Sequence, residues 1–223
     1  MRYGLLCVAC LALAALFIHR EHGKHYVSAA VLKGLASLCF VLFGVLGSRL
    51  SGDAALARLV VVGLLLGCAA DVLLNLRFVF EKHGQPIFLL GILVFLSGHV
   101  VYLAAIAPGA RYLVPSLLAG AVLTALLMKW IFTQITAKKA FKIFGVFYLG
   151  AIMLLNCVAV GNLLAAPSAF TGIFAAGAVL FLVSDIVLIL NTFGSESRFS
   201  LRIVNLSLYY IGQLLIAWSL QLL

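Results

Sequence analysis

The chain has 223 residues, of which 65% are apolar and 9% are charged, and its mean hydropathy is +1.26. A soluble domain is about 45–50% apolar and about 25% charged, so this composition excludes a soluble fold. The formal net charge of +9 does not indicate a nucleic-acid partner, because the Lys and Arg residues lie mostly between apolar runs and form no basic stripe with exposed aromatic residues.

The apolar segments are continuous, as in Leu59–Ala70 and Ala175–Val183. In lipid, every backbone N–H and C=O group needs a partner within the protein, so only helices or a closed β-barrel can cross the membrane. A barrel strand would alternate apolar and polar residues with a period of two. The continuous runs therefore predict an all-α membrane protein.

A membrane-spanning helix needs roughly 20 apolar residues, with a range of about 17–25. By this criterion the sequence contains eight spans within a single integral membrane domain, residues 1–223. The spans are 3–18, 27–47, 56–76, 86–107, 112–133, 140–163, 170–190 and 203–222. The first span resembles a signal peptide, but the polar cluster His19–His25 follows it without a convincing cleavage site, which favours a retained helix.

The distribution of Lys and Arg predicts the orientation of the chain in the membrane. The loops after spans 1, 3, 5 and 7, with the adjoining helix ends, carry Arg20, Lys24, Lys33, Arg77, Lys82, Lys129, Lys138, Lys139, Lys142, Arg198 and Arg202. The opposite side carries only Arg2, Arg49, Arg58 and Arg111. The positive-inside rule therefore places these odd-numbered loops in the cytoplasm and both termini outside. Short loops suit a bacterial inner membrane, or the endoplasmic reticulum in a eukaryote.

An internal repeat occurs at an offset of 114 residues. It aligns Gly63 and Asp71 with Gly177 and Asp185, and Gly98-His99 with Gly212-Gln213. Spans 3–4 thus resemble spans 7–8. Because four spans separate the partners, the two halves run parallel, which predicts two four-helix repeats related by an axis along the membrane normal.

Charged or titratable residues within the spans are Lys33, Asp71, His99 and Asp185. Their uncharged polar companions are Asn75, Tyr102, Tyr148, Asn156, Tyr209, Tyr210 and Gln213. A charged side chain inside a membrane costs about 2.5–3.5 kcal/mol on insertion scales, so such residues are candidates for function. Most of them lie nearer the odd-numbered loops or close to the midplane. This asymmetry predicts a polar cavity that opens to one face of the membrane.

Two carboxyl groups in a partly dry cavity suit acid/base catalysis, and they equally suit the proton relay of a transporter. A structural clasp between helices is a third interpretation. Only one His lies within the spans, and no cysteine spacing matches a zinc site or a disulfide framework. We therefore expect no metal and no other cofactor.

Several motifs follow one another in the order of the spans. The seventh span contains Phe181, Ser184, Asp185, Leu188 and Phe193 in the register Phe-x-x-Ser-Asp-x-x-Leu with a following Phe. The eighth contains Tyr209-Tyr210-Ile-Gly-Gln213-Leu-Leu-Ile. Ala70-Asp71-Val-Leu-Leu74, His99-Val-Val-Tyr102, Lys33, and the pair Tyr148 and Met153 complete the set.

With these motifs the chain resembles the YhhN/lysoplasmalogenase family over nearly its whole length, from the second span onward. It departs from the family pattern at Ala70, where a Gly is usual, and in having no Pro after Lys33. The resemblance implies hydrolysis of the vinyl ether bond of a 1-alkenyl lysophospholipid. The products would be a fatty aldehyde and glycerophosphoethanolamine or glycerophosphocholine.

Under this hypothesis Asp71 and Asp185 are the catalytic residues, one as general acid and the other as the group that stabilises the cation and activates water. Lys33 binds the phosphate, and the remaining substrate-binding residues are His99, Tyr148, Tyr209, Tyr210 and Gln213. The expected partners are the lysophospholipid and membrane lipids, with no nucleic acid and an undetermined oligomeric state. The alternative is a small proton-coupled transporter or lipid flippase that uses the same Asp residues.

Overall fold

A computed structural model of the chain describes residues 2–223, in which eight long α-helices follow one another. They are α1 (Arg2–His22), α2 (Tyr26–Ser48), α3 (Ala54–Val79), α4 (Gly84–Ile106), α5 (Leu113–Gln134), α6 (Lys139–Ala165), α7 (Ala169–Phe193) and α8 (Phe199–Ser219). Each is long and apolar enough to cross a membrane, which confirms the predicted all-α membrane fold. Met1 and the side chain of Arg2 lie outside the described part. Arg2 is one of the basic residues that the sequence places on the side opposite the odd-numbered loops.

Several helices continue beyond the predicted spans into polar sequence. The last turn of α1 reaches His22, and α8 begins at Phe199. Hydropathy alone ended these spans at the first polar residues, although a polar residue can continue a helix. An ion pair of 2.8 Å between Glu21 and Arg202 joins these two ends. Lys24, with a φ of 59°, then adopts the left-handed backbone conformation that ends α1.

The most extensive helix contacts join α3 to α4 and α7 to α8. At the second crossing, a Cβ atom at Gly177 would lie 2.8 Å from the carbonyl oxygen of Gly212, so only glycine allows this approach. At the first crossing, a Cβ atom at Gly98 would lie 3.5 Å from the carbonyl oxygen of Gly63. These are the glycine pairs that the offset of 114 residues aligned, so both crossings use equivalent positions.

Contacts between the two halves also correspond, because α2 packs against α8 as α4 packs against α6. The contacts of α1 and α5 differ between the two halves. Helix α1 packs against both α2 and α8, whereas α5 packs mainly against α6. The side of α4 that faces α5 is consequently less covered, and a lipid-facing groove between α4, α5 and α6 runs past Leu96, Thr124 and Gly150.

Candidate active site

Asp71 of α3 is 1% exposed and lies where α3 meets α2 and α8. Lys33 Nζ lies 3.0 Å from its Oδ1 atom. The hydroxyl groups of Ser37 and Tyr209 each donate a hydrogen bond of 2.6 Å to its Oδ2 atom. An ionised carboxylate accepts hydrogen bonds through both oxygens, so this environment suits a charged Asp71.

Helix α2 supplies two of these donors because the two residues lie about one helical turn apart. Lys33 and Ser37 are four residues apart, which places them on the same face of the helix. Both are buried, and Lys33 Nζ also lies 5.4 Å from the centre of the Phe17 ring of α1. The ammonium group is therefore held between an aromatic face and a carboxylate.

Asp185 of α7 is 3% exposed and has a different environment. The Tyr148 hydroxyl of α6 donates a hydrogen bond of 2.8 Å to its Oδ2 atom. His99 Nε2 of α4 lies 3.7 Å from the same atom, beyond hydrogen-bond distance. Within residues 2–223, no Lys or Arg forms an ion pair with Asp185, and its Oδ1 atom accepts no hydrogen bond.

A chain of hydrogen bonds runs from Asp71 toward the membrane interior. Tyr209, which donates to Asp71, lies 3.4 Å from Gln213 Nε2, and Gln213 Oε1 accepts a hydrogen bond of 2.9 Å from the Tyr102 hydroxyl. All of these side chains are buried. The chain fixes the Tyr209 ring and thereby the orientation of its hydroxyl toward Asp71.

Asp71 and Asp185 line one common cavity, here called the polar cavity. Its other polar lining residues are Lys33, Asn75, Arg77, Ser184, Arg202, Asn205 and Tyr209. Because α2, α3, α7 and α8 all contribute, the cavity forms only when both halves of the protein are packed together. It lies toward the end of the bundle where the odd-numbered loops are, as the depths of the polar residues predicted.

A second cavity, here called the apolar cavity, adjoins the first. Leu74, Phe88, Phe95 and Leu188 line both cavities. The apolar cavity extends sideways between α4, α5, α6 and α7, and the segment around Ile135 covers it at the odd-loop end. Tyr148 lines the apolar cavity and its hydroxyl donates to Asp185, so Asp185 lies near the boundary between the two cavities.

A model of the YhhN family matches residues 28–220, which is nearly the whole chain.

The chain belongs to the YhhN family.

No solved structure matches it. The family match covers α2 to α8, the helices that supply the two carboxyl groups and, among the described residues, the hydrogen-bond donors to them. Helix α1 lies outside the match and contributes Glu21 and Phe17 to the surroundings of the site.

In this YhhN protein, most of the predicted site residues lie beside one of the two aspartates. Lys33 and Tyr209 contact Asp71, whereas Tyr148 and His99 lie beside Asp185.

Two predicted residues lie farther from the carboxyl groups. Gln213 is linked to Asp71 through the Tyr209 hydroxyl. Tyr210 does not line the polar cavity, and its buried hydroxyl has no hydrogen-bond partner within residues 2–223. The Tyr210 ring instead packs against Phe40 and Tyr209, which gives it a place in the core.

The sequence prediction omitted several residues that border the polar cavity or contact its carboxyl groups. Ser37 could have been found from its spacing of four residues from Lys33. Arg77 and Arg202 were counted only as charges that set the orientation of the chain. Asn205 donates hydrogen bonds to the carbonyl and hydroxyl oxygens of Ser184, a contact between α7 and α8 that no local pattern in the sequence indicates.

The described residues contain no group of three or more His, Cys, Asp or Glu side chains arranged to hold a metal ion. The polar groups that line the two cavities are carboxyl, hydroxyl, amide and cationic side chains. Such groups can transfer protons, orient a polar ligand and stabilise charge.

Proposed function

We propose that this YhhN protein is a lysoplasmalogenase-like hydrolase that cleaves the vinyl ether of a 1-alkenyl lysophospholipid. The observation that carries the proposal is the junction of the two cavities, with two carboxyl groups on the polar side. A lysoplasmalogen has a polar head, one long apolar chain, and its reactive bond where the two parts join. Its head group would lie in the polar cavity and its chain in the apolar cavity.

The lateral position of the apolar cavity suits such a lipid. In the structure the apolar space lies beside the polar cavity, where α5 leaves one side of α4 less covered. A lysolipid could reach this space from the membrane without its head group crossing the apolar midplane.

The surroundings of the two carboxyl groups favour different roles. Both oxygens of Asp71 accept contacts from Lys33, Ser37 or Tyr209, which leaves little room for a reacting group. Among the described residues, the polar contacts of Asp185 are all at Oδ2. Its Oδ1 atom is the one that could carry a proton to the substrate, so we assign the general acid to Asp185 and the charge-stabilising carboxylate to Asp71.

Hydrolysis would begin when the acid of Asp185 transfers its proton to the β-carbon of the vinyl ether. The C=C electron pair forms the new C–H bond, and the resulting oxocarbenium ion is stabilised by the negative charge of Asp71. Water then attacks this cation and passes a proton to the Asp185 carboxylate. The hemiacetal collapses to the aldehyde as its C–O bond to glycerol breaks, with Asp185 giving a proton to the glycerol oxygen and receiving the proton that the hemiacetal hydroxyl loses.

The neighbouring side chains would position these groups. Tyr148 holds one oxygen of Asp185, and His99 lies close enough to bridge to it through a water molecule. Tyr209, fixed by Gln213, orients Asp71. With the odd-numbered loops in the cytoplasm, the head group would approach from the cytoplasmic leaflet.

A proton-coupled transporter or flippase remains the alternative function. Such a protein needs access to its site from both faces of the membrane. In the structure the residues that line the polar cavity come from the odd-loop half of their helices, and the hydrogen-bond chain beyond them ends at Tyr102, packed against Phe174. No observation favours transport over hydrolysis.

The direct test is aldehyde release by purified protein from alkenyl and acyl lysophospholipids with matched head groups. We expect fatty aldehyde from the alkenyl substrate and no fatty acid from the acyl substrate. In deuterated water the aldehyde, trapped at once by reduction, should carry one deuterium at carbon 2, because the solvent proton is added there. Absence of turnover, together with movement of intact lysolipid across protein-containing vesicles, would establish the transporter instead.

The location of the alkenyl chain can be tested by filling the apolar cavity. A Cβ atom at Gly145 of α6 would meet no heavy atom within 4 Å, so a larger side chain there can occupy this space. We expect Gly145→Phe to raise KM for a long-chain substrate by roughly tenfold or more, because each buried CH₂ group contributes about 0.8 kcal/mol. A short-chain substrate should be much less affected.

Gly4→Phe is the matched control, since a Cβ atom at Gly4 also meets nothing within 4 Å and Gly4 lies on α1, away from both cavities. It should leave KM for both chain lengths unchanged. Equal effects of Gly145→Phe on long and short chains would contradict the assignment of the apolar cavity to the chain.

A further inference from the structure

Arg77 differs from the other cations of the polar cavity. Lys33 is paired with Asp71 at 3.0 Å, and Arg202 is paired with Glu21 at 2.8 Å. Arg77 forms no ion pair within residues 2–223, and its buried Nε atom has no hydrogen-bond partner there. A cation that is partly withdrawn from water without an anionic partner is costly, so its position at the cavity suits an anionic ligand.

Two aromatic rings fix the position of this group. The guanidinium carbon of Arg77 lies 4.5 Å from the ring centre of Phe78 and 4.4 Å from that of Phe88. Stacking of this kind leaves the in-plane N–H groups available to donate hydrogen bonds. Those donors match the paired oxygens of a phosphate in a way that a single ammonium group does not.

We propose that Arg77 binds the phosphodiester of a single-chain phospholipid whose chain occupies the apolar cavity. The proposal deepens the proposed function and rests on it for the position of the reacting bond. Phe88, which stacks on Arg77, lines both cavities, so the bound phosphate lies close to their junction.

The spacing along α3 agrees with the shape of such a lipid. Arg77 follows Asp71 by six residues, which corresponds to about 9 Å along the helix axis. In the lipid, the three glycerol carbons separate the phosphate from the bond at carbon 1. Asn75 lies between the two residues in sequence and lines the same cavity, and its Oδ1 atom is buried without a partner in the described chain. That oxygen can accept a hydrogen bond from the hydroxyl at carbon 2 that a lysolipid leaves free.

This assignment changes the part of Lys33. Its ammonium group contacts the Asp71 carboxylate, so binding a phosphate would weaken an existing ion pair. Arg77 forms no ion pair within residues 2–223, so binding a phosphate there would not weaken an existing one. The phosphate is therefore assigned to Arg77, and Lys33 becomes a positioning residue for Asp71.

The test measures binding rather than turnover. Purified protein in a phospholipid-free detergent is titrated calorimetrically with three probes that resist hydrolysis. They are a 1-O-alkyl lysophosphoethanolamine, the corresponding 1-O-alkylglycerol without phosphate, and glycerophosphoethanolamine without a chain. We expect Arg77→Gln to weaken binding of the alkyl lysophospholipid roughly 10- to 100-fold, the range for losing a charge-assisted bidentate contact. Binding of the alkylglycerol should change less than about twofold.

Arg58→Gln is the matched control, because Arg58 is an exposed arginine at the opposite end of α3. It should leave the affinity for all three probes unchanged. Arg77→Lys, which keeps the charge but not the planar donor group, should give an intermediate loss for the phosphate-containing lipid. Wild-type protein should bind the chainless glycerophosphodiester far more weakly than the lipid.

Three results would overturn the proposal. Equal weakening of phosphate-containing and phosphate-free lipids by Arg77→Gln would give Arg77 a structural role only. Unchanged affinity of Arg77→Gln for the lysophospholipid would show that Arg77 does not bind the phosphate. Equal affinity of wild-type protein for the chainless probe and the lipid would make the ligand a free phosphodiester. Because no probe is cleaved, failure of the hydrolase proposal in the aldehyde assay is distinguishable from each of these.

Discussion

Replacement of Asp185 by Asn is expected to lower kcat for vinyl ether hydrolysis by roughly 10²- to 10⁴-fold, the usual contribution of a general acid. Asn keeps the size of the side chain and can accept the hydrogen bond from Tyr148, but it has no carboxylic acid proton to give to the β-carbon. The fold should be preserved, because Asp185 forms no ion pair with Lys or Arg in the described chain. KM should change little.

The measurement is steady-state aldehyde release, with the melting temperature recorded for each variant. Asp53→Asn is a suitable control, since Asp53 is an exposed N-cap residue of α3 and Asn caps a helix equally well. It should retain wild-type activity and stability. A kcat of Asp185→Asn within about tenfold of the wild-type value would show that Asp185 is not the general acid.

Replacement of Asp71 by Asn is expected to affect stability as well as activity. It removes the charge that compensates Lys33, whose side chain is 5% exposed, and an unpaired buried charge typically costs about 3–5 kcal/mol. At about 2–4 °C per kcal/mol for a chain of this size, the melting temperature should fall by roughly 6–20 °C. Loss of the negative charge near the oxocarbenium ion should lower kcat by roughly 10²- to 10³-fold.

The double variant Lys33→Met with Asp71→Asn separates these two effects. Met has nearly the length of Lys without its charge, so the double variant should recover most of the lost thermal stability. It should stay as inactive as Asp71→Asn, because the negative charge is still missing. Recovery of activity together with stability would show that Asp71 serves the fold and not the reaction.

Most of the polar residues of the site could be predicted from the sequence, because polar residues are rare within membrane-spanning segments. In a soluble protein Lys33, Asp71, His99 and Asp185 would be unremarkable, but within apolar spans each carries an energetic cost that needs a reason. The same contrast identified all eight membrane helices. The repeat was visible because glycine occurs at equivalent positions of two helix crossings, Gly63 and Gly98 in one and Gly177 and Gly212 in the other.

The helix ends and the partners of each side chain could not be read in this way. Hydropathy ends a span at the first polar residues, although α1 continues to His22 and is held there by the ion pair between Glu21 and Arg202. That pair joins residues 181 positions apart in the chain, and no local pattern specifies it. The same holds for the hydrogen bond between Tyr148 and Asp185, which depends on how α6 packs against α7.

The sequence by itself therefore determined the membrane environment, the number of helices, and the inventory of polar groups, since these follow from local composition and from the energetic cost of polar groups in lipid. Only the tertiary structure decided the difference between the two aspartates. Among residues 2–223, packing gave Asp71 three donors, gave Asp185 one, and left Arg77 without an ion pair. It also placed the apolar cavity beside the polar one, because the position of α5 depends on contacts between helices rather than on any single segment.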